Sequence, residues 1–164
     1  MRPKARAAAG SFLFLIAAPG VVAGLIPWWL TGWDTQSPPL PLQIAGATLV
    51  VIGAGVLLHA FARFVHEGIG TPAPVAPTEH LVVGGLYRYV RNPMYLAALA
   101  LIVGQALLLG QLELVAYAAV IAAAFAAFVH WYEEPTLQRR YGEQYDTYRK
   151  TVPGWIPRKP RKVR

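Results

Sequence analysis

The fold is decided by residues 35–62, TQSPPLPLQIAGATLVVIGAGVLLHAFA, which contain no Asp, Glu, Lys or Arg. Three further charge-free intervals cover residues 7–33, 92–112 and 114–132. In chain order the four intervals are 27, 28, 21 and 19 residues long, and a helix needs about 20 apolar residues to cross a bilayer. The pattern predicts an all-α integral membrane protein with four transmembrane helices. We place these spans near residues 11–33, 41–64, 93–110 and 113–132.

The composition also indicates a membrane protein. Charged residues make up 14% of the chain and hydrophobic residues 55%, whereas soluble globular chains have about 25% charged residues. The net charge of +7 would suggest nucleic acid in a soluble protein, but here the charges lie in blocks between apolar intervals, so no nucleic-acid partner is expected. With no Cys and four His, the chain excludes disulfides, zinc fingers and iron–sulfur centres, and no metal site is predicted.

The first apolar interval has a second interpretation, a signal peptide. Arg2, Lys4 and Arg6 precede it, and residues 22–24 read Val-Ala-Gly, which resembles a cleavage site. The apolar stretch continues to Trp33, however, well past an h-region of 7–15 residues. We therefore interpret it as a retained first span, with residues 1–164 forming a single membrane domain.

The basic residues predict the orientation in the membrane. All fifteen Lys and Arg lie before the first span, between spans two and three, or after span four. By the positive-inside rule, both termini and the central loop face the cytoplasm, in a multi-pass cytoplasmic (inner) membrane protein. Trp28, Trp29 and Trp33 then lie at the outer interface, and the basic C-terminal residues meet anionic lipid headgroups. Gly20 and Gly24 form a GxxxG pattern that serves either dimerisation or internal helix packing, so the oligomeric state stays open.

The central loop carries the first candidate site. Asn92 and Pro93 are typical of the cap and first position of a helix, so span three begins there with free N–H groups and a positive dipole end. Arg88 and Arg91 add positive charge at the same place. This arrangement favours a carboxylate or a phosphate; the alternative is that the two arginines only enforce topology.

The residues after span four predict one amphipathic helix beginning near Pro135. Its apolar side chains recur at steps of three and four, a helical pattern, which suits the membrane surface or the surface of the protein. These residues are Leu137, Tyr141, Tyr145, Tyr148 and Val152.

Two adjacent acids, Glu133 and Glu134, end the last span beside an inner leaflet that repels them. Carboxylates also oppose the dipole at a helix C-terminus, so a cationic partner would explain the placement; the alternative is a solvated helix end. Because adjacent helical residues point about 100° apart, we do not expect both carboxylates to face one site equally.

In order and spacing, these motifs resemble the isoprenylcysteine carboxyl methyltransferase family, within the wider group of membrane methyltransferases that includes phospholipid N-methyltransferases. The resemblance covers residues 68–157. Its motifs read Leu81-Val82, Gly85-Leu86-Tyr87, Arg91-Asn92-Pro93-Met94-Tyr95, Glu133-Glu134, Tyr141-Gly142-Glu143-Gln144-Tyr145-Asp146-Thr147-Tyr148 and Val152-Pro153. Two positions depart from the family pattern. Asn92 stands where the family has His, and Val129 stands where prenylcysteine-specific members have an arginine.

The resemblance implies S-adenosylmethionine as methyl donor, with S-adenosylhomocysteine as product, held on the cytoplasmic side by residues 68–95 and 130–157. The cofactor contacts that it implies are Glu79, His80, Leu81, Val82, Gly85, Tyr87, Asn92, Pro93, Met94, Tyr95 and Glu133. Arg91, Glu134 and His130 are the candidate catalytic residues, Arg91 as a clamp for a carboxylate or a substrate anion and His130 as a candidate base. Glu133 is expected to be the partner of the cofactor's ammonium or ribose.

The implied acceptor is lipophilic or membrane-associated, the carboxylate of an isoprenylcysteine-like substrate. Methyl transfer from a sulfonium needs alignment of donor and nucleophile and no metal. Alternatives are a methyltransferase acting on a lipid amine or a thiol, and a non-enzymatic four-helix membrane scaffold. A proton-coupled exporter is excluded because it needs an ionisable group near the bilayer centre, where the spans have no Asp, Glu, Lys or Arg.

Overall fold

The structure is a computed structural model that describes Leu13, residues 16–63, His66 and residues 80–159. Within this part of the chain all regular structure is helical. In chain order the elements are a π-helical segment Ile16–Leu25, α1 (Ile26–Thr31), α2 (Leu40–Arg63), a 3-10 turn (Gly85–Arg88), α3 (Pro93–Leu109), α4 (Leu112–Phe128), a second π-helical segment (Val129–Glu133), α5 (Glu134–Tyr141) and α6 (Glu143–Thr151).

Apolar helices occupy the four intervals that the sequence assigns to membrane spans. Two are long and apolar enough to cross a bilayer: α2, and the continuous helix Leu112–Tyr141 that joins α4, the second π segment and α5. Two others, Ala17–Thr31 and Pro93–Leu109, are apolar but shorter. The predicted all-helical class is confirmed for the described residues, and two of the four predicted spans reach spanning length.

The closest helix contact is the antiparallel packing of α2 against α3. Gly46 near the start of α2 meets Gly104 near the end of α3, where an added Cβ would lie 2.6 Å from the Gly104 carbonyl oxygen. About two helical turns later on α2, a Cβ added at Gly53 would lie 3.0 Å from the Ala97 carbonyl oxygen. Gly46, Gly53 and the buried Ala60 repeat every seven residues, as do Ala97 and Gly104. These small residues let the two backbones approach closely, and the contact fixes where α3 begins.

A second set of contacts holds the first helix against the bundle. Pro27 has no N–H, so carbonyl groups one turn earlier lose a helical donor. The Tyr117 hydroxyl donates to the Val22 carbonyl at 2.8 Å, and Gln105 Nε2 donates to the Ala23 carbonyl at 2.7 Å. An unsatisfied carbonyl is costly in lipid, so these side chains of α3 and α4 compensate for the proline.

The C-terminal region differs from the predicted single amphipathic helix. Pro135 lies in the first turn of α5, but α5 runs on from α4 and the second π segment as one continuous helix, so no new helix starts there. The chain instead breaks at Gly142, whose φ of 51° and ψ of −126° suit glycine. The predicted apolar face is nevertheless turned toward the protein near its end, since Tyr145 and Val152 are buried.

We expect Gly46→Ala to destabilise the protein by about 1–3 kcal/mol, the usual cost of overpacking. The new methyl group would overlap the backbone of α3, which cannot rotate away as a side chain can. Gly55→Ala is the matched control on the same helix, because a Cβ there meets nothing within 4 Å. Thermal unfolding in detergent, followed by circular dichroism, should give a lower midpoint for Gly46→Ala alone; equal midpoints would contradict the close helix contact.

Candidate active site

The first turn of α3 is the centre of the candidate site. Asn92 precedes the helix and Pro93 lies in its first turn, as predicted, but the Asn92 side chain forms no cap hydrogen bond. Its backbone, at φ −116° and ψ 50°, is not in the extended conformation of a capping residue. Asn92 is 6% exposed, and its Nδ2 is buried without a hydrogen-bond partner. The expected side-chain cap is therefore wrong, and the amide is a spare donor at this place.

Arg91 connects the start of α3 to the C-terminal part of the chain. Its Nη1 donates to Glu134 Oε1 at 2.6 Å and to the Tyr145 hydroxyl at 3.0 Å, and its Nε donates to the Val152 carbonyl at 3.1 Å. The Arg91 and Glu134 side chains are only 14% and 13% exposed, so their ion pair is shielded from water. Sequence reasoning assigned Arg91 to a substrate anion; in the structure most of its donors are used within the protein.

The residues after α6 lie along the start of α3. We call residues 152–158 the C-terminal strap. The Arg91 N–H donates to the Pro153 carbonyl (2.9 Å), the Asn92 N–H to the Gly154 carbonyl (3.2 Å) and the Arg158 N–H to the Tyr89 carbonyl (3.0 Å). These bonds join two parts of the chain that are far apart in sequence.

Gly154 in the strap leaves a small gap beside two donors. A Cβ added at Gly154 would lie 3.1 Å from Arg91 Nη2 and 3.7 Å from Asn92 Nδ2. A gap lined by a guanidinium nitrogen and an amide nitrogen favours a carboxylate, because charge-assisted hydrogen bonds to an anion are the stronger ones.

One turn further along α3, Tyr95 contacts a carboxylate and lies near two other aromatic rings. The Tyr95 hydroxyl donates to Glu133 Oε2 at 2.6 Å. The Tyr95 ring is flanked by Phe125 and Trp155, with ring centroids 4.7 Å and 6.2 Å away. A carboxylate and aromatic faces both attract cations, so this part of the site has the opposite preference to the gap beside Gly154.

Both adjacent glutamates reach the start of α3, but they contact different residues. Glu133 accepts from Tyr95 and Glu134 accepts from Arg91, which lies four residues earlier in the chain. Glu133 is the last residue of the second π segment, Val129–Glu133, and Glu134 is the first residue of α5.

The described part of the predicted cofactor loop packs beneath the site. Val82 and Tyr87 are buried with Ala60, and Met94 and Tyr148 pack against this cluster. The Tyr148 hydroxyl donates to the Tyr87 carbonyl at 2.7 Å. Burial raises the pKa of Tyr148 above its ordinary value, so the hydroxyl keeps the proton that it donates. Burial likewise raises the pKa of Tyr87.

Gly85 lies at the start of the 3-10 turn with a φ of +57°, and a Cβ there would lie 2.6 Å from His59 Nε2. A larger residue would therefore meet both backbone strain and a side chain of α2. Leu81 is half-buried ahead of this turn.

Two of the predicted residues that the structure describes are not joined to this cluster. His130 is exposed on the second π segment, where its ring lies 5.9 Å from that of Trp131. His80 is exposed ahead of the 3-10 turn. The predicted residue Glu79 lies outside the described residues.

Sequence reasoning missed Phe125, Gly154 and Trp155. Phe125 lies in an alanine-rich span and has no local feature that marks it. Trp155 follows the Val-Pro that ends the last motif, and only its distance from Tyr95 in the fold connects it to the site. Tyr145 was assigned to an apolar face, whereas its hydroxyl also accepts from Arg91.

Comparison with known proteins identifies one family. A family model described as phospholipid methyltransferase matches residues 42–144, more than half of the chain. No curated protein and no solved structure matches. The matched residues include α2, α3, α4 and both glutamates, and they end before the strap.

We expect Glu134→Gln to loosen the C-terminal strap by about 1–3 kcal/mol, because Arg91 would lose the charged partner of a shielded hydrogen bond. Amide hydrogen exchange across residues 152–158 should then be faster, while exchange in α2 stays unchanged. Glu143→Gln is the matched control, since Glu143 is exposed on α6. If both variants exchange at the rate of the unmutated protein, the ion pair does not hold the strap.

Proposed function

The chain belongs to the phospholipid methyltransferase family, a family of membrane methyltransferases, and we propose that it transfers a methyl group from S-adenosylmethionine to a lipophilic acceptor. The observation that carries the proposal is the Glu133 carboxylate, which accepts from Tyr95 at the start of α3 beside two further aromatic rings. This cluster contains Tyr95 and Glu133, which the resemblance assigns to the cofactor. It also contains Phe125 and Trp155, which no motif marks.

The residues present fit the charged groups of S-adenosylmethionine, which has a carboxylate, an ammonium and a sulfonium. The unpartnered Asn92 Nδ2 and the nearby Arg91 Nη2 suit the carboxylate. Glu133 and the aromatic rings around Tyr95 suit the positive groups. The ligand's carboxylate would thus meet hydrogen-bond donors, and its positive groups would meet a carboxylate. Both places lie at the start of α3.

The bound donor supplies an electrophilic methyl group, and the protein supplies position and dryness. The donors beside Gly154 and the Glu133 carboxylate would orient the donor from two sides, and orientation of this kind accounts for much of the rate gain in displacement reactions. The buried Val82 and Tyr87 exclude water from the side of the loop. Low water content also strengthens each of these charge contacts.

A lipid amine is a second candidate acceptor, and the arrangement of Arg91 favours it over a carboxylate. Arg91 is paired with Glu134 and bonded to Tyr145, and its remaining nitrogen faces the gap assigned to the donor's carboxylate. Val129, which is 4% exposed, supplies no positive charge. Arg91 therefore offers an anionic acceptor no free charged donor, whereas a neutral amine needs none.

Labelled methyl transfer tests this proposal directly. Purified protein, a membrane lipid extract and S-adenosylmethionine carrying a labelled methyl group should give a labelled lipid. Glu133→Gln should lower the rate at low donor concentration about 10- to 100-fold, since a charge-assisted hydrogen bond contributes about 1.5–3 kcal/mol. Glu113→Gln, an exposed glutamate at the other end of the same helix, should leave the rate unchanged.

The stability of the labelled product distinguishes the two acceptors. Mild base releases the label of a methyl ester as methanol, whereas an N-methyl group stays on the lipid. A base-stable label supports the amine, and a released label supports the carboxylate. If no lipid or protein in the extract is labelled, the proposed activity is wrong.

We also propose that the four apolar helices all span the membrane, with both termini and the site on the cytoplasmic side. The two connections that lack basic residues meet at one end of the bundle, where the Gln36 N–H donates to the Leu109 carbonyl and Gln111 Nε2 to the Asp34 carbonyl. The site and the basic strap lie at the other end. The basic end would face anionic lipid headgroups.

Single cysteines test this topology, because the chain has no Cys of its own. In spheroplasts, a membrane-impermeant maleimide should label Gln36→Cys and should label Lys159→Cys only after the membrane is opened. Labelling of position 159 from outside, with position 36 protected, would reverse the orientation.

A further inference from the structure

Trp155 is the aromatic residue that the C-terminal strap brings to the site. It lies beyond the residues that the family model matches, and the fold places its ring 6.2 Å from that of Tyr95 at an interplanar angle of 42°. On the other face of this cluster, Phe125 lies 4.7 Å from Tyr95. Three rings from three different parts of the chain therefore meet at Tyr95, whose hydroxyl donates to Glu133.

The strap is fixed on both sides of Trp155. The carbonyl groups of Pro153 and Gly154 accept from the backbone N–H groups of Arg91 and Asn92, and the Arg158 N–H is bonded on the other side. Trp155 lies outside the helices, so these bonds fix the backbone position from which its ring extends.

Packing alone does not explain the position of this ring. Trp155 remains partly exposed. Its ring lies near Tyr95, whose hydroxyl donates to the Glu133 carboxylate, and not in the apolar cluster formed by Ile102 and Leu114. Indole has the most favourable face for a cation among the aromatic side chains. A cation between the indole and Glu133 would be attracted by both.

We propose that Trp155 is a binding residue for the sulfonium of the methyl donor, held in place by the strap. The inference rests on the proposed function, since it names a further contact of the same site. The neutral thioether of S-adenosylhomocysteine lacks the sulfonium charge but has the same remaining groups. A residue that recognises the charge therefore affects the affinity for the donor more than the affinity for the product.

Isothermal titration of the detergent-solubilised full chain with each ligand tests this role. Trp155→Leu should weaken S-adenosylmethionine binding about 3- to 30-fold, the range expected for a cation–aromatic contact, and should change S-adenosylhomocysteine binding less than about 2-fold. Trp155→Phe, with a weaker ring, should give an intermediate loss for S-adenosylmethionine alone. Trp131→Leu is the matched control, because Trp131 is 75% exposed.

The outcomes separate this inference from the activity on which it rests. Equal losses for both ligands would overturn it, because the ring would then be only an apolar wall, and unchanged binding of both ligands to Trp155→Leu would also overturn it. Should Trp155→Leu fail to fold, the Trp155→Phe titrations decide the question on the same criterion. Failure of the unmutated protein to bind either ligand would instead overturn the proposed function.

Discussion

The site depends on the shielded pair between Arg91 and Glu134, because this pair joins the two halves from which the site is built. Arg91 precedes α3 and Glu134 begins α5, and their contact lies between Tyr145 on one side and the strap on the other. Removing one partner of a shielded ion pair is strongly destabilising, because the remaining charge has neither a counter-charge nor enough water to solvate it. The same pair therefore holds the strap. It also engages Arg91, which sequence reasoning assigned to a substrate anion.

The packing of α2 against α3 gives this pair a fixed base. In lipid there is little hydrophobic force between helices, so the small residues Gly46, Gly53 and Gly104 set the distance and the register. A fixed α3 places Arg91 and Asn92 directly before the helix and Tyr95 in its first turn. Two groups that favour different ligands are thereby kept about one helical turn apart. The donors beside Gly154 favour an anion, and the Glu133 carboxylate favours a cation.

The sequence predicted the helices well because apolar length is a local property, and α2 and α3 begin and end close to the expected residues. It also placed Asn92, Tyr95 and Glu133 near one another through a family resemblance. The strap and the break at Gly142 were not predictable in this way. The strap depends on pairings between residues far apart in sequence, and the break depends on the backbone conformation of one glycine. Neither changes the apolar periodicity of the sequence.

The hydrogen bond from Arg91 to Val152 joins residues 61 positions apart, and this separation bears on how the protein is made. A chain is synthesised from its N-terminus, and its early parts fold while later parts are still absent. The helices can enter the membrane as they appear, but the ring cluster around Tyr95 is complete only after Trp155 in the strap has been synthesised. A chain that ends before the strap would thus be an inserted bundle without a completed site. The protein would become able to bind its ligand only after residues 152–158 have been synthesised.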